Sequence, residues 1–303
     1  MKPILFFGSV TSDLTLHVPH LPSLEEDLSL QEAGISLGGC PGNASKVLDY
    51  MHVPYVLACI TGTGVYAEHV RKELKQRNQK PFFESSQANG FCLCLVTPEG
   101  NRTFIAIHGC EYKYSMKYLR QLNPQEYAIA YVSGIDLEEE ENDCLLDWLE
   151  ETHLPVCFAA GPRISSLQED RLKRMTALKP LLHLNRREAD AYLERFGLHA
   201  ESMEERTAML NDLAGNTVII TDGEKGACAC GDTFIFQEAM KVNAVDGTGA
   251  GDTHIGTVLG CLSQGKPLAT AMFDAALTAG AAAASEGAGL PLEAFERIRE
   301  KLR

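Results

Sequence analysis

Short apolar runs alternate with amphipathic stretches along most of this 303-residue chain. Apolar runs of strand length lie at 3–8, 55–60, 129–134, 155–160, 181–184 and 217–221. Between them, helical spacing of apolar residues marks 43–51, 66–77, 140–151, 167–177, 186–196 and 203–213. This alternation indicates a mostly parallel sheet with helices on both faces, which is a Rossmann-like, doubly wound α/β fold.

Two segments depart from this alternation. Residues 13–38 lack a clear helical pattern, and residues 91–108, FCLCLVTPEGNRTFIAIH, have the pattern of a β-hairpin. The turn residues of this hairpin are Pro98, Glu99, Gly100 and Asn101. We expect both segments to form a small β lid beside the main sheet of a single domain, residues 1–303. The Gly- and Ala-rich stretch 249–285 predicts two closely packed, buried helices.

The charge and the cysteine content restrict the classes of partner. A formal net charge of −14 disfavours binding to nucleic acid or to anionic membranes, since both require a basic surface. No apolar run approaches the roughly 20 residues of a membrane span, and the first residues resemble a strand rather than a signal peptide. Ten cysteines in such a chain predict reduced thiols in a cytoplasmic protein. The pairs Cys92/Cys94 and Cys228/Cys230 lack zinc-site spacing, so we expect them to pack rather than to bind metal.

The stretch VDGTGAGDTHIG, residues 245–256, places a glycine-rich loop directly before a helix. Gly247, Gly249 and Gly251 permit tight turns, and the free N–H groups of a helix N-terminus can bind an anion. A carboxylate would repel that anion, so Asp252 indicates chemistry on a group beside it. The dinucleotide fingerprint belongs to a first βαβ unit and no Walker sequence is present, so neither motif fits. A glycine-rich packing turn remains an alternative.

Four other stretches contain polar residues or glycines where a strand ends or a helix begins. They are GSVTSD (8–13), SLGGCPGN (36–43), LNRRE (184–188) and TDGEKG (221–226). Asn185 and Glu188 are three residues apart and would share one helix face. Each stretch alone has a simple structural interpretation, because a polar residue at a strand end commonly caps a helix.

Together and in this order, these stretches resemble the ribokinase, or PfkB, family of carbohydrate kinases. The most specific element is the D-x-T-G-A-G-D signature from Asp246 to Asp252. The G-G-x-x-x-N element begins at Gly38, the N-x-x-E element at Asn185 and the T-x-G-x-x-G element at Thr221. The resemblance covers nearly the whole chain and implies a ribokinase-like fold with a β lid.

The resemblance implies ATP-dependent phosphorylation of a hydroxymethyl group on a sugar or nucleoside. It assigns Asp252 as the base that takes the hydroxyl proton. The amides of its anion hole would be those of Gly249, Ala250 and Gly251. The residues that would hold substrate hydroxyls are Asp13, Gly38, Gly39 and Asn43. Asn185 and Glu188 would organise Mg²⁺ and the phosphates, Glu188 through metal-bound water. The residues that would lie along the nucleotide are Thr221, Gly223 and Gly226. Some members also use K⁺ near the loop that holds Asp246.

Departures from the family pattern leave the substrate open. Gly247 replaces a threonine, GTGVYA (62–67) replaces G-x-D-x-x-G, and AGP (160–162) replaces D-P-N. Pro41 favours a ketose, fructokinase-like substrate over ribose. A nucleoside kinase and a catalytically silent nucleotide- or sugar-binding regulator remain alternatives, since fold does not choose substrate.

Three further expectations concern single residues and assembly. Arg102 is either a solvated charge on a strand or a lid contact to substrate. His254 either packs in the first turn of its helix or touches substrate or phosphate. An apolar face on a small sheet needs a partner, so we expect a homodimer through the lid segments 13–38 and 91–108.

Overall fold

A computed structural model of the chain describes residues 1–30, 33–98 and 100–303. The strands within these ranges are β1 Ile4–Phe7, β2 Thr11–His17, β3 Ala33–Gly38, β4 Tyr55–Ala58, β5 Ile60–Thr63, β6 Phe83–Ala88, β7 Phe91–Val96, β8 Arg102–Ile107, β9 Ala130–Ser133, β10 Val156–Ala159, β11 Leu181–Asn185, β12 Val218–Thr221, β13 Ala227–Cys230 and β14 Phe234–Gln237. The helices are α1 Cys40–Met51, α2 Val65–Gln76, α3 Met116–Leu119, α4 Asp143–Thr152, α5 Glu169–Ala177, α6 Arg186–Arg195, α7 Met203–Ala214, α8 Ala250–Ser263, α9 Leu268–Ala283 and α10 Leu292–Ile298.

The main sheet contains eight strands in the order β14-β13-β12-β11-β10-β9-β1-β4. The six strands from β12 to β4 run parallel, and β13 and β14 add an antiparallel edge. The predicted doubly wound α/β fold is therefore confirmed. After β1 the chain continues to one side at β4 and later to the other side at β9, so the strand order reverses at β1. Open α/β sheets bind ligands beside such a point, beyond the carboxyl ends of the strands.

Alternating residues of the buried strands supply two separate cores. Phe7, Val132 and Ile220 face helices α4 to α7, whereas Phe6 and Ile219 face helices α1, α8, α9 and α10. Strands that are buried on both faces read as continuous apolar runs, which explains why the sequence revealed them. The two helices predicted within 249–285 are α8 and α9, and they pack against each other through small residues.

A small sheet of four strands, in the order β3-β2-β7-β8, lies apart from the main sheet. The hairpin predicted at 91–108 is confirmed as β7 and β8, although Glu99 of its turn lies outside the described residues. The helix-free segment 13–38 contributes most of β2 and all of β3, and Gln31 and Glu32 also lie outside the described residues. We call these four strands the small sheet.

Several predicted boundaries were wrong, and the clearest cases are at β4, at α1 and at α4, which begins at Asp143 rather than at 140. The strand expected at 55–60 ends at Ala58, and residues Ile60–Thr63 form β5, which pairs with β6 in a separate two-stranded sheet. The helix expected at 43–51 begins three residues earlier, at Cys40, because Gly39 caps it and Pro41 suits its first turn. None of the helices in the described ranges is long and apolar enough to cross a membrane.

Candidate active site

The motif stretches meet at the carboxyl edge of the main sheet. Residues 8–13 follow β1, Asn185 ends β11 and Thr221 ends β12. Asn185 and Thr221 are direct partners in the register of β11 and β12. The N-x-x-E and T-x-G-x-x-G elements, 36 residues apart in the sequence, are therefore side by side in the fold.

The loop 247–251 presents backbone amides at the start of α8. Gly249 is the N-cap, and its φ of 73° is left-handed, which favours glycine. A Cβ on Gly249 would also lie 2.5 Å from the amide nitrogen of Gly289. Gly251 differs, because a Cβ there would meet nothing within 4 Å and the residue is exposed. The surface beside Gly251 is therefore open to a ligand, whereas the Ala250 amide donates to the Gly247 carbonyl at 3.2 Å.

Asp252 lies in the first turn of α8, as the sequence predicted. Asn43 of α1 donates a hydrogen bond from its side-chain amide to Asp252 Oδ2 at 3.0 Å. This contact is possible because Gly256 of α8 packs on the backbone of Ala44, where a Cβ would lie 2.0 Å from the Ala44 carbonyl oxygen. Burial raises the pKa of Asp252 to about 6, and the negative charge of Asp13 adds to the rise.

Asp13 reaches the same site from β2. Its carboxylate covers Gly38, where a Cβ would lie 2.0 Å from Asp13 Oδ2, so a side chain at position 38 would displace that carboxylate. Thr11 donates a hydrogen bond to Asp13 Oδ1 at 2.9 Å, and burial raises the pKa of Asp13. Gly39 has a φ of 86°, and a Cβ there would lie 2.0 Å from the Ser9 carbonyl oxygen. The structure thus brings Asp13, Gly38, Gly39 and Asn43 together around Asp252.

Asn185 and Glu188 do not simply share a helix face. Asn185 is the N-cap of α6, its side chain accepts the Glu188 amide, and Glu188 accepts the Asn185 backbone amide at 2.9 Å. Burial raises the pKa of Glu188, and the negative charge of Asp252 raises it further. Carboxylate oxygens such as those of Glu188 are donors that suit hydrated Mg²⁺. Glu188 therefore suits a Mg²⁺ ion that is held mainly by phosphate oxygens and water.

The turn from Thr221 to Gly226 joins β12 to β13. Gly223 has a φ of 57° and Gly226 a φ of 100°, so both glycines adopt left-handed backbone. A Cβ on Gly226 would lie 2.2 Å from the Gln237 carbonyl oxygen, whereas Gly223 is exposed and has open space beside it. Gly226 is thus explained by backbone packing, and Gly223 leaves an uncovered surface at the sheet edge.

The cysteines form no disulfide bonds, and His254 packs against another histidine. All ten cysteines are unpaired, and no cluster of three or more His, Cys, Asp or Glu in the described ranges could hold a metal. His254 is buried and its Nδ1 lies 3.1 Å from Nε2 of His183, so the packing interpretation of His254 is the one that the structure supports.

One residue at the site was missed from the sequence, and a second was left with two interpretations. Cys40, the first residue of α1, lies against Asp252, and both burial and that negative charge raise the pKa of its thiol. Arg102 was left as a solvated charge or a substrate contact. Its side chain is only 20% exposed, and it forms an ion pair with Asp246. No local pattern could reveal this pair, because its members are 144 positions apart.

Comparison with known proteins agrees with the geometry. A model of the pfkB family of carbohydrate kinases matches residues 1–294. An uncharacterized sugar kinase of Escherichia coli K12, YegV, is 31% identical over 274 residues, which cover 90% of this chain and 85% of that protein. The fold is similar to ribokinase from Cryptococcus neoformans var. grubii in complex with ADP, with a TM-score of 0.79, 20% identity and 100% of both chains covered.

Adenosine kinase from Sinorhizobium meliloti has a similar fold as well, with a TM-score of 0.84 and 15% identity over 99% of both chains. These two structural matches establish the ribokinase-like fold. The family model and the 31% identical relative establish more than the fold, because each spans nearly the whole chain. The protein described here is accordingly a member of the pfkB family of carbohydrate kinases.

Proposed function

We propose that this protein transfers the γ-phosphate of ATP to a hydroxymethyl group of a small sugar, with Asp252 as the base. The observation that carries this proposal is the position of Asp252. Its carboxylate lies in the first turn of α8, beside the open space at Gly251, and Asn43 of another helix donates a hydrogen bond to it. A packing turn requires neither the acid nor the open space beside Gly251.

The amides of Gly249, Ala250 and Gly251 are the proposed anion hole. Charge on the transferred phosphoryl group lies on its oxygens, and fixed N–H donors at a helix N-terminus stabilise that charge without reorganising. Loss of one such donor typically lowers turnover by about 10²–10³. Because the chain is acidic overall, with a net charge of −14, backbone dipoles are a fitting source of positive potential here.

Asp252 would act as the acceptor oxygen attacks phosphorus. The new oxygen–phosphorus bond forms while the bond from the γ-phosphorus to the bridging oxygen breaks, ADP leaves, and the hydroxyl proton passes to Asp252. Positioned proton transfer of this kind contributes about 10²–10⁴ in rate. The raised pKa of Asp252, about 6, makes the carboxylate a better match to a neutral-pH reaction than an exposed aspartate.

Asn185, Glu188, Thr221, Gly223 and Gly226 are the proposed nucleotide side of the site. Bound Mg²⁺ would neutralise phosphate charge, and Glu188 would hold it through metal-bound water. Their placement at the neighbouring ends of β11 and β12 supports this assignment. K⁺ is a further candidate near Asp246. Arg102 already contacts that carboxylate, however, so we expect replacement of K⁺ by Na⁺ to change turnover little.

Asp13, Gly38, Gly39 and Asn43 are the proposed sugar side. The Asp13 carboxylate accepts hydrogen bonds, and the glycines beside it let a small polyhydroxy substrate approach the backbone. Pro41 favours a ketose. The sugar kinase name of the 31% identical relative supports a sugar over other acceptors.

A nucleoside is the second candidate acceptor. Phe104 of β8 is 52% exposed and lies on the same face of the small sheet as Asp13, where an aromatic ring could stack on a base. The fold similarity to an adenosine kinase is compatible with this candidate. Phe104 would equally cover a sugar, so the substrate panel below decides between the two.

The small sheet is also the proposed dimer interface, and we propose that its inner face is a lid. Ile35, Leu14, Leu93 and Ile105 form one continuous cross-strand row on the outer face. Ile35 and Ile105 are 50% and 52% exposed, and strands β3 and β8 have free edges. A second copy of this chain would bury both features. The ten unpaired cysteines support function in the reducing cytoplasm.

The test is an ADP-release assay with MgATP over ketoses, aldoses, sugar acids and nucleosides. The Asp252→Asn variant is the control. Release of ADP with one acceptor class, absent from the control, supports the proposal and identifies the acceptor. ATP binding by calorimetry without ADP release from any acceptor contradicts it and favours the silent binding protein.

A further inference from the structure

An ion pair between Arg102 and Asp246 connects the small sheet to the segment that precedes α8. Arg102 begins β8 on the inner face of the small sheet, the face that also carries Asp13. Asp246 lies just before the loop 247–251, and its side chain is only 2% exposed. The guanidinium Nη2 pairs with Asp246 Oδ2.

Asp246 organises the amide loop through its remaining contacts. Its Oδ1 accepts the Thr248 amide at 2.9 Å, and its Oδ2 accepts the Gly287 amide at 2.9 Å. The Gly289 amide in turn donates to the Thr248 carbonyl at 3.1 Å. The Asp246 carboxylate therefore helps to hold the loop before α8 to the loop after α9, together with the backbone bonds from Val245 and Asp246 to the Ala283 carbonyl, and it contributes to the position of the proposed anion hole.

A carboxylate at this depth requires compensation. Two amide donors satisfy part of its hydrogen-bonding capacity, but they carry no net charge. Arg102 supplies that charge, and its planar guanidinium suits a carboxylate partner. Removal of one partner of a buried pair leaves the other uncompensated, so the loss of Arg102 would disturb the loop through Asp246.

We infer that Arg102 is a positioning residue, which latches the small sheet over the active site and holds the loop 247–251 through Asp246. This inference rests on the proposed kinase function. Closure of the small sheet and assembly of the anion hole are then coupled, because the ion pair of Arg102 with Asp246 stabilises both. Arg102 acts through Asp246 rather than on substrate or ATP.

The first experiment measures steady-state kinetics of Arg102→Met, with Thr103→Ala as a matched control on the same strand and the opposite face. We expect kcat to fall about 10- to 100-fold, with little change in the KM of acceptor or ATP, since misplacement of catalytic groups by ~1 Å has such effects. Arg102→Lys should recover part of kcat, because it restores the charge without the planar contact. A rise in either KM at unchanged kcat would overturn the inference, since it would place Arg102 on a substrate.

The second experiment needs no turnover, so it separates this inference from the kinase assignment. Hydrogen exchange of the amides in β2, β3, β7, β8 and in residues 246–251 is compared between wild type and Arg102→Met. We expect faster exchange in both regions in the variant. Wild-type exchange rates in the variant would overturn the inference, even if the protein proves to be a kinase.

A double-variant cycle supplies the third readout. Asp246→Asn should lower kcat, and addition of Arg102→Met to it should cost little more, because the interaction is already lost. Independent, additive losses in kcat would contradict a shared role for the two residues.

Discussion

At the scale of single residues, the surroundings of Asp252 destabilise its ionised form. Burial removes water from the carboxylate, and Asp13 adds negative charge nearby, so the pKa of Asp252 rises to about 6. Asn43 offsets this only in part, through one hydrogen bond at 3.0 Å. Functional acids often have perturbed pKa values for such reasons.

One prediction concerns stability. The folded pKa of Asp252, about 6, exceeds the unfolded value near 3.9. The charged carboxylate therefore destabilises the fold increasingly as pH rises from ~4 to ~6, and the destabilisation is complete above pH ~6. Asp252→Asn should therefore stabilise the nucleotide-free protein at pH 7 by roughly 1–3 kcal/mol, or about 2–5 °C in Tm. At pH 4 the two proteins should melt together. An Asn variant that melts below wild type at pH 7 would show that the carboxylate is not destabilising.

A second prediction concerns activity. The plot of log kcat/KM against pH reports ionisation of the free enzyme, and a base must be deprotonated. We expect kcat/KM to fall below an apparent pKa of about 6 and to level above it. A profile that is flat from pH 5 to 7, with an acceptor that does not itself titrate, would argue against Asp252 as the base.

At the scale of elements, the N-terminus of α8 contains two glycines that look equivalent in the sequence but differ in structure. Gly249 is held left-handed against Gly289, whereas Gly251 has open space where its Cβ would be. The first glycine is therefore explained by the fold. The second is explained only if something else must approach the backbone.

This difference gives a matched pair of variants. Gly249→Ala should lower the free energy of unfolding by about 2 kcal/mol or more, through left-handed strain and contact with Gly289. Gly251→Ala should leave stability unchanged or raise it by up to ~1 kcal/mol, since alanine is the better helix former, yet lower kcat at least about tenfold. Denaturant unfolding and steady-state kinetics measure the two effects. Wild-type kcat in a folded Gly251→Ala protein would mean that the amide surface is not used.

The same elements explain what the sequence could predict. The parallel strands were visible because burial on both faces makes them apolar, and Asp252 was placed in the first turn of α8 because the glycine loop ends there. The ion pair of Arg102 with Asp246 and the contact of Cys40 with Asp252 were not visible. They depend on how α1, α8 and the small sheet pack, and no local periodicity encodes that packing. A capping role at Asn185 could be inferred from the sequence, since polar residues at strand ends commonly cap helices. The position of Asn185 beside Thr221 could not, because it depends on the pairing of β11 with β12.

At the scale of the whole molecule, the small sheet has one polar and one apolar face. The inner face carries Asp13 and Arg102, and the outer face carries the row from Ile35 to Ile105, with Ile107 also exposed at 54%. A monomer would leave Ile35, Ile105 and Ile107 of this outer face and two strand edges in water. Assembly and closure of the site would then depend on the same four strands.

The assembly prediction follows from that face. Light scattering at micromolar concentration should give about twice the chain mass of 33.1 kDa, and Ile105→Lys should give the single-chain mass, because a charge would be buried without a partner. Leu292→Lys is the matched control, since Leu292 is 53% exposed but lies on α10. A monomeric wild type, or dissociation caused equally by both variants, would refute the interface.

The single-turnover rate of Asp252→Asn, with the acceptor found in the panel, reports directly whether Asp252 is the base. ATP affinity is measured in parallel by calorimetry. We expect a folded variant that binds ATP normally and transfers phosphate about 10²–10⁴ times more slowly than wild type. A variant that binds ATP normally and transfers phosphate within a few-fold of the wild-type rate would contradict the assignment of Asp252 and, with it, the proposed mechanism.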